Sequence, residues 1–346
     1  MKKTKSFILI ITTAILFYNC ESNTEDLTTD PIGEPQEDSV LNRNLSFEEV
    51  YAFEDDLLGG PHIGMTYSSN DNNLFISSRE NAPAGSTTEE EVFKLSLDSY
   101  QLMRKNVSPG GFITKQLTTI NDTLVSIGGT EFKFYDTSFE YAGEKSYGNN
   151  FTLSKFGIAT HNNDTYIIGG YRVDGPSREN KKIRKLRGNI TGNQFEEFIN
   201  TSETMIGASG AIVNERLHVF GGALYEDFEA TNKIFIYPLN NPQSYEEFSM
   251  TVKADVTFVH KYGEMILVAG HKGLYGTDKT SFVGLFDTTT NTFEEIKTNL
   301  DSESGTKAIH QMIVKEDKII VLFGHKASSQ LPMSKWSILS ADLLKD

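Results

Sequence analysis

The sequence has a single cysteine, Cys20, which excludes a disulfide bond within the chain. It is also poor in basic residues, because 32 Lys and Arg stand against 47 Asp and Glu and give a formal net charge of -15. Phosphate contacts need Lys and Arg, so this balance argues against nucleic acid as a partner. Walker-type and dinucleotide-binding glycine loops are absent too, since the glycine pairs of this chain follow β-prone runs and do not open helices.

The start of the chain has the pattern of an export signal. A basic segment, Met1 to Lys5, precedes an apolar stretch from Phe7 to Tyr18 that is too short for a comfortable membrane span, and Cys20 follows it. This segment resembles a bacterial lipoprotein signal, which implies that residues 1–19 are removed and that Cys20 is lipidated. By the same resemblance, Glu21 favours the outer membrane of a Gram-negative bacterium. A plain secretory signal with a coincidental cysteine is the alternative.

Residues 20–43 are predicted to form a flexible acidic tether. The segment is polar and acidic, contains Pro31, Gly33 and Pro35, and has almost nothing to bury. It would hold the folded part, residues 44–346, away from the membrane.

The folded part is built from a repeat. Six segments of equal length align without gaps, each with a β-prone run, a polar turn of Asn, Asp, Glu or Gly, and a second β-prone run: 63–78, 114–129, 155–170, 207–222, 255–270 and 309–324. Asn, Asp and Gly tolerate the left-handed backbone of tight turns. The pattern therefore predicts six β-hairpins.

Glycines end most of these hairpins and are assigned a structural role: Gly128, Gly129, Gly169, Gly170, Gly221, Gly222, Gly270 and Gly324. A polar loop, a third apolar run and a fourth run with Phe or Tyr beside acids follow, as in 195–198, 245–248 and 293–296. Four strands in each repeat, with a repeat every ~40–55 positions, are typical of a propeller blade. The chain resembles the Kelch-repeat propellers, which implies an all-β, six-bladed Kelch-like β-propeller with four-stranded antiparallel blades.

The two ends of the chain are predicted to share one blade. The last hairpin is followed by a third run around Trp336, but the chain stops at Asp346 before a fourth. Residues 45–53 (Leu-Ser-Phe-Glu-Glu-Val-Tyr-Ala-Phe) resemble the fourth runs of the other repeats. We expect this N-terminal strand to join the C-terminal blade and close the ring, which removes an exposed edge.

Candidate ligand-binding residues lie just after the hairpin glycines or at the start of the hairpins. They are Arg79, Tyr171, Arg172, Tyr225, His271, Lys272, His325, Lys326, His62 and Lys155. Because strands alternate direction, these positions are expected on one face, where the cations would form a basic funnel for a carboxylate, sulfate or acidic sugar. The alternative is that they are ordinary loop cations that never converge. No metal or cofactor is predicted, since the histidines have no partners at ligand spacing.

Three functions fit this organisation. The leading one is a surface-anchored, monomeric binding or interaction module for an unknown protein or glycan, because no catalytic motif is present and no catalytic residue can be assigned. The second is an enzyme, since the propellers that the chain resembles include periplasmic sialic-acid mutarotases acting on an acidic sugar. The third is a structural subunit of an outer-membrane complex.

Overall fold

Regular structure in this protein is β-structure. The computed structural model describes residues 41–55, 64–68, 72–79, 90–108, 116–120, 123–128, 131–136, 139–146, 153–162, 164–172, 179–186, 196–272, 280–300, 307–325 and 334–344. These ranges contain no α-helix, and no helix within them is long and apolar enough to cross a membrane. The fold is therefore all-β, made of small, mainly antiparallel sheets as expected of a β-propeller.

The strands group into units that we number one to six by their hairpins. Unit one has β3 (Gly64–Ser68), β4 (Asn73–Arg79), β5 (Glu90–Ser96) and β6 (Leu102–Ser108), and unit two has β7 (Gln116–Ile120), β8 (Thr123–Ile127), β9 (Glu131–Tyr135) and β10 (Tyr141–Ser146). Unit three has β12 (Gly157–His161), β13 (Asp164–Ile168), β15 (Lys182–Leu186) and β16 (Glu196–Asn200). Two-residue strands β11 (Leu153–Ser154) and β14 (Tyr171–Arg172) flank its hairpin.

Units four and five share one eight-stranded sheet. Unit four has β18 (Ser209–Val213), β19 (Arg216–Phe220), β21 (Thr231–Pro238) and the first part of β22 (Glu246–Tyr262), with flanking strands β17 (Met205–Ile206) and β20 (Ala223–Leu224). The rest of β22, β23 (Met265–Lys272), β24 (Thr280–Asp287) and β25 (Thr292–Thr298) form unit five. Unit six has β26 (Lys307–Lys315), β27 (Lys318–His325), β28 (Ser334–Asp342) and β2 (Glu48–Asp55).

Each predicted hairpin coincides with two antiparallel strands whose paired ends are separated by two to four residues in the sequence. The polar turns have the left-handed backbone that their composition predicts: φ is +48° at Asn162, +50° at Asn214 and +59° at Gly263. Glu316, a residue less suited to this conformation, has φ +52° at the turn of unit six.

The core lies between the units. Described apolar residues form six clusters, and each cluster joins two units. Representative pairs, in order from units one and two to units six and one, are Phe75 with Leu124, Ile127 with Ile167, Ile168 with Val219, Phe220 with Val268, Leu267 with Val321, and Leu322 with Ile76. Burial of one such side chain contributes about 1.5–3 kcal/mol, so stability depends on contacts between units.

The N-terminal segment packs on two units and not on one. β2 pairs antiparallel with β28 from Glu48↔Ser340 to Asp55↔Ser334. The start of the predicted strand differs, because β1 (Asn44–Leu45) pairs in parallel with β25 of unit five. Leu45 and Phe47 are buried in the cluster between units five and six, and this apolar packing takes them out of the strand that begins at Glu48.

The folded part also begins earlier than its composition indicates. Leu41, assigned to the tether, is 8% exposed and forms an isolated β-bridge with Leu344. The amide of Asn42 donates to the carbonyl of Leu343 at 2.6 Å. One buried leucine and the backbone bonds beside it thus extend the folded part to at least residue 41.

Polar contacts join the hairpin turns of successive units. His161 Nε2 lies 2.8 Å from Glu215 Oε1, and the Tyr262 hydroxyl donates to Asp317 Oδ1 at 2.7 Å. The amide of Asn214 donates to Glu264, and Lys315 donates to Asn72. These contacts link units three to four, four to five, five to six and six to one.

Candidate functional site

A central cavity is the candidate site. Its volume is about 550 Å³, and its wall contains residues from the first strand of every unit. These include Met65 to Ser68 of unit one, Gln116 to Thr119 of unit two, Lys155 to Asn162 of unit three, Gly207 to Ile212 of unit four, Val256 to Lys261 of unit five, and Gln311 to Ile313 of unit six. We call the end near Lys155, Gly207 and Val256 the glycine end, and the end near Ser68, Asn162 and Lys261 the turn end.

The wall carries a charge balance unlike that of the whole chain. Its described residues include no Asp or Glu, although the protein has 47 of them. The basic groups in the wall are Lys155, His161, His260 and Lys261. A cavity with cationic and no anionic side chains favours anions, and its low-dielectric walls strengthen that preference.

Two glutamines meet across the glycine end. Gln311 Nε2 of unit six donates to Gln116 Oε1 of unit two at 3.4 Å, and Gln116 Nε2 donates to the Phe156 carbonyl of unit three at 3.1 Å. Gln311 is 7% exposed. Unit one lies between the two glutamine-bearing units, and a Cβ at its Gly64 would be 2.6 Å from the backbone nitrogen of Leu117. Only glycine allows β7 to pass so close, which brings Gln116 towards Gln311.

One hydroxyl group and one backbone bond link units three, four and five at the same end. Thr257 Oγ1 donates to the Phe220 carbonyl at 2.8 Å and accepts from the Ser209 amide at 3.0 Å. The amide of Gly207 donates to the Lys155 carbonyl at 2.8 Å. These bonds fix the spacing of units three, four and five around the cavity.

Sequence reasoning missed the glutamines, although a signal exists. They occupy the third position of the aligned hairpins, where four of six residues are polar: Gln116, Ser209, Thr257 and Gln311. The glycines that follow the second strands indicate the loops beyond them and carry no information about the first strands. The shared third position would have indicated the cavity wall.

The turn end carries two histidines in different surroundings. His161 pairs with Glu215 and also lies 2.9 Å from Asn162 Nδ2. His260 Nδ1 donates to the Lys261 carbonyl at 2.9 Å, which leaves Nε2 as the acceptor of the neutral ring. Burial lowers the pKa of His260, so the neutral form is stabilised. The wall therefore holds an imidazole able to accept a hydrogen bond or a proton.

Lys155 alone among the predicted ligand-binding residues lines the cavity in the part of the chain that the structure describes. It is 9% exposed and has φ +54°, a strained value for a residue with a side chain. Its carbonyl holds unit four through Gly207. Lys155 thus combines a structural role with a place in the wall.

The candidates after the glycine pair of unit three lie in β14. Tyr171 pairs with Ser154 and Arg172 with Leu153, and both side chains are half-buried. The pKa of Arg184 is lowered by burial, against the opposing effect of Glu197, and the positive charge of Arg172 lowers it further. Arg172 is therefore close to β15 and exerts its charge there.

The corresponding residues of units four and five contact other side chains or the backbone. The ring of Tyr225 is tilted against that of Phe228 in the connection between β20 and β21, with ring centroids 6.1 Å apart. His271 is buried, and its Nε2 contacts the Ile309 carbonyl of unit six. Lys272 pairs with Glu295 of β25. These contacts make His271 a core residue that binds unit six, and Lys272 part of a surface ion pair.

Several predicted residues lie outside the described part of the structure. They are Cys20, His62, Gly129 and Lys326, together with the side chains of Arg79 and His325. Among the residues that are described, no group of three or more His, Cys, Asp or Glu side chains could hold a metal ion.

Comparison with known proteins gives a structural likeness and no family. No protein-family model matches the chain, and no curated protein matches it in sequence. Among solved structures, the chain is similar to the one described as "Structure of YjhT", with a TM-score of 0.50 and 13% identity. The likeness covers 68% of this chain and 83% of the other. At this identity it concerns the fold alone.

Proposed function

We propose that this protein is a closed, six-bladed β-propeller that acts as a binding module, and that its central cavity takes a small polar ligand with negative charge. The ligand would be a free metabolite or the end group of a glycan. The observation that carries the proposal is the cavity wall, which has the cations Lys155 and Lys261 and no carboxylate among its described residues.

The number of blades and the ring closure are supported by contacts between units. Six apolar clusters join successive units, and one of them joins unit six to unit one. Lys315 of unit six also contacts Asn72 of unit one. Pairing of β2 with β28 would close the ring by uniting both ends of the chain in one blade.

Closure is tested by truncation. Deletion of residues 41–55 removes β1 and β2 and leaves the outer edge of β28 unpaired, so we expect the unfolding temperature to fall by more than about 10 °C. Deletion of residues 24–35, within the predicted tether, is the control and should leave it unchanged. If the two truncated proteins melt alike, the N-terminal strand does not close the ring.

The size and charge of the cavity support a small anionic ligand. A volume of about 550 Å³ is within the range of small-molecule sites, about 300–1,000 Å³. Backbone groups and the Gln, Ser, Thr and Asn side chains of the wall would bind the polar part of the ligand. Lys261 at the turn end is exposed and would attract its charge.

A matched pair of probes tests this preference. Gluconate and sorbitol share six carbons and a chain of hydroxyls, but only gluconate is charged. By NMR titration at millimolar concentration, we expect gluconate to shift cavity resonances and to bind more tightly than sorbitol. Lys261→Gln should weaken gluconate binding about threefold to tenfold, whereas Lys253→Gln, at an exposed ion pair with Glu229, should not. Equal binding of both probes would overturn the anionic preference.

An enzyme acting on an acidic sugar is the second candidate, and His260 favours it. A neutral imidazole with Nε2 as its basic atom, in the wall of a cavity, could take and return a proton during opening of a sugar ring. The expected sign is faster exchange between the anomers of N-acetylneuraminate, measured by NMR, with loss of the effect in His260→Gln. An exchange rate equal to that in buffer would rule this activity out.

We also propose that Cys20 is lipidated and that the protein is exported to the outer membrane of a Gram-negative bacterium. Support comes from the basic start, the apolar stretch from Phe7 to Tyr18, and the placement of the single cysteine directly after it. Two or more acyl chains would anchor it firmly, at about 0.8 kcal/mol per buried methylene. Labelling with radioactive palmitate should mark the wild-type protein and spare Cys20→Ala. Labelling of both would contradict lipidation at this residue.

A further inference from the structure

The contact between Gln116 and Gln311 is unusual in its position and its length. It joins units six and two, which are not neighbours, across residues 195 positions apart in the chain. Its separation of 3.4 Å is longer than the usual 2.7–3.2 Å of an N–H···O bond. Both residues line the cavity. A weak bond at this place holds little structure together, but it brings one amide donor and one amide acceptor to the same point of the wall.

The orientation of the Gln116 amide is set by its second hydrogen bond, and that of Gln311 is restricted by burial. Gln116 Nε2 donates to the Phe156 carbonyl at 3.1 Å, so its Oε1 is the atom that faces Gln311. Gln311 is almost fully buried, which restricts its rotamers. The pair therefore presents a fixed acceptor on one side and a fixed donor on the other.

A hydroxyl group is complementary to this arrangement. Its oxygen accepts from Gln311 Nε2 and its hydrogen donates to Gln116 Oε1, because a hydroxyl is donor and acceptor at once. Two bonds of normal length to one oxygen would need the two amide atoms about 4.5 Å apart, which a small outward shift of the amide groups provides without a change in their orientation. A carboxylate offers acceptors only and would meet Gln116 Oε1 unfavourably. An ammonium group offers donors only and would conflict with Gln311 Nε2.

We propose that Gln116 and Gln311 form a subsite that recognises a hydroxyl group of the ligand. The inference rests on the proposed binding function of the cavity and specifies its ligand as a hydroxylated acid, with the hydroxyl at the glycine end and the charge near Lys261 at the turn end. The ligand replaces the weak bond between the two glutamines with two bonds of normal length. An acid without hydroxyls leaves that bond in place.

Gluconate and hexanoate distinguish the hydroxyl subsite from the anion-binding cavity. Both are six-carbon carboxylates, and only gluconate carries hydroxyls. By NMR titration of the full chain, gluconate should bind at least about tenfold more tightly than hexanoate. The side-chain amide signals of Gln116 and Gln311 should shift with gluconate and stay in place with hexanoate. This readout uses the wild-type protein and does not depend on the folding of any variant.

Variants then assign the effect to the pair. Gln311→Met and Gln116→Met keep the side-chain volume and remove one amide each, and both should reduce the preference for gluconate to about twofold or less while hexanoate binding is unchanged. Gln243→Met, at an exposed position outside the wall, is the matched control.

The outcomes distinguish failure of the subsite from failure of the cavity. Equal binding of gluconate and hexanoate overturns the hydroxyl subsite and leaves an anion-binding cavity. A preference for gluconate that persists in both variants, with unmoved glutamine signals, overturns the subsite as well. If neither acid binds, the proposed function and the subsite fail together.

Discussion

Units three and five contain the same aligned segment and use its glycines in opposite ways. In unit three, β13 ends at Ile168, and Gly169 and Gly170 take left-handed conformations with φ +58° and +78°. The chain bends there, and Tyr171 and Arg172 form a separate short ribbon with β11. In unit five, β23 continues without a break through Ala269 and Gly270 to Lys272, and β22 continues beside it.

In units three and four, the bend occurs where two glycines follow one another. A lone glycine, as at Gly270, removes a side chain where a Cβ would lie 2.2 Å from the Val256 carbonyl, and the strand stays extended. Two successive glycines permit two successive residues with left-handed backbone, a conformation that residues with a side chain disfavour. Unit four, with φ +56° at Gly221 and +92° at Gly222, bends in the same way as unit three.

The bend changes the surroundings of the next residue. Tyr171 in the ribbon of unit three is half-buried, whereas His271 in the straight strand of unit five is 3% exposed and contacts the Ile309 carbonyl of unit six. Equivalent positions in the alignment therefore have different roles. A face of ligand-binding residues cannot be inferred from alignment to the glycines alone.

The largest expected effect is at Gly169. Alanine there would be strained at φ +58° and would place its Cβ 2.0 Å from the Met205 carbonyl, which belongs to the backbone and cannot move easily. We expect Gly169→Ala to lower the free energy of unfolding by about 4 kcal/mol in urea denaturation. Gly263→Ala is the control, since φ is +59° but nothing lies within 4 Å, and it should cost only about 1 kcal/mol. Equal losses would mean that close packing at Gly169 contributes nothing.

The next effect is a dependence of stability on pH at His218 of unit four. The side chain is 1% exposed, and burial lowers its pKa from 6.5 to about 4. Between pH 6.5 and pH 4, the histidine binds a proton more readily in the unfolded protein than in the folded one. The contribution of neutral His218 to stability is therefore present above pH 6.5 and is lost as the pH falls towards 4. Between pH 7.5 and 4.5 the loss amounts to about 2–3 kcal/mol.

Urea denaturation of the wild type and of His218→Phe at the two pH values measures this contribution. When the pH falls from 7.5 to 4.5, the phenylalanine variant should lose about 2–3 kcal/mol less of its free energy of unfolding than the wild type loses. The same measurement on His161→Phe is the comparison, because His161 is partly exposed and forms an ion pair with Glu215. An unchanged pH dependence in His218→Phe would show that His218 is not buried in its neutral form.

Much of the fold follows from local sequence. Left-handed φ values at Asn162 and Asn214 reflect turn composition, and pairing of β2 with β28 reflects the resemblance of residues 45–53 to other fourth strands. Leu45 and Phe47 differ because they pack on unit five, which is formed by a distant part of the sequence. A local sequence pattern contains no information about the distant unit on which a strand packs.

The site was less predictable for the same reason. Gln116 and Gln311 belong to units that are not neighbours, and Gly64 of the intervening unit allows the close approach of β7. Lys155, which the sequence places before a first strand, lines the cavity. Lys272, which it places after a second strand, pairs with Glu295 of the adjacent outer strand. Among the residues that the structure describes, those of the first strands and the positions just before them form the wall, and those beyond the second strands do not.

A smaller effect is expected at the residue after the lone glycine of unit five. His271→Leu removes the contact with the buried Ile309 carbonyl, and we expect a loss of about 1.5 kcal/mol in the free energy of unfolding. Tyr171→Leu, at the aligned position of unit three, should cost less than about 0.5 kcal/mol because its side chain is only half-buried. Similar losses in the two variants would contradict the different roles assigned to this position.

The smallest effect distinguishes the turns of units five and six. Gly263 and Glu316 are each the first residue of a two-residue turn, with φ +59° and +52°. Glycine adopts this backbone without strain and glutamate does not, so Glu316→Gly should stabilise the protein by about 0.5 kcal/mol, or raise its unfolding temperature by about 1–2 °C. Differential scanning calorimetry can resolve this shift. Glu264→Gly, at the second turn position of unit five, is the comparison, because φ at Glu264 is not positive, so glycine relieves no strain there and only removes the bond from Asn214. It should lower the unfolding temperature. An unfolding temperature of Glu316→Gly at or below that of the wild type would contradict the strain assigned to Glu316.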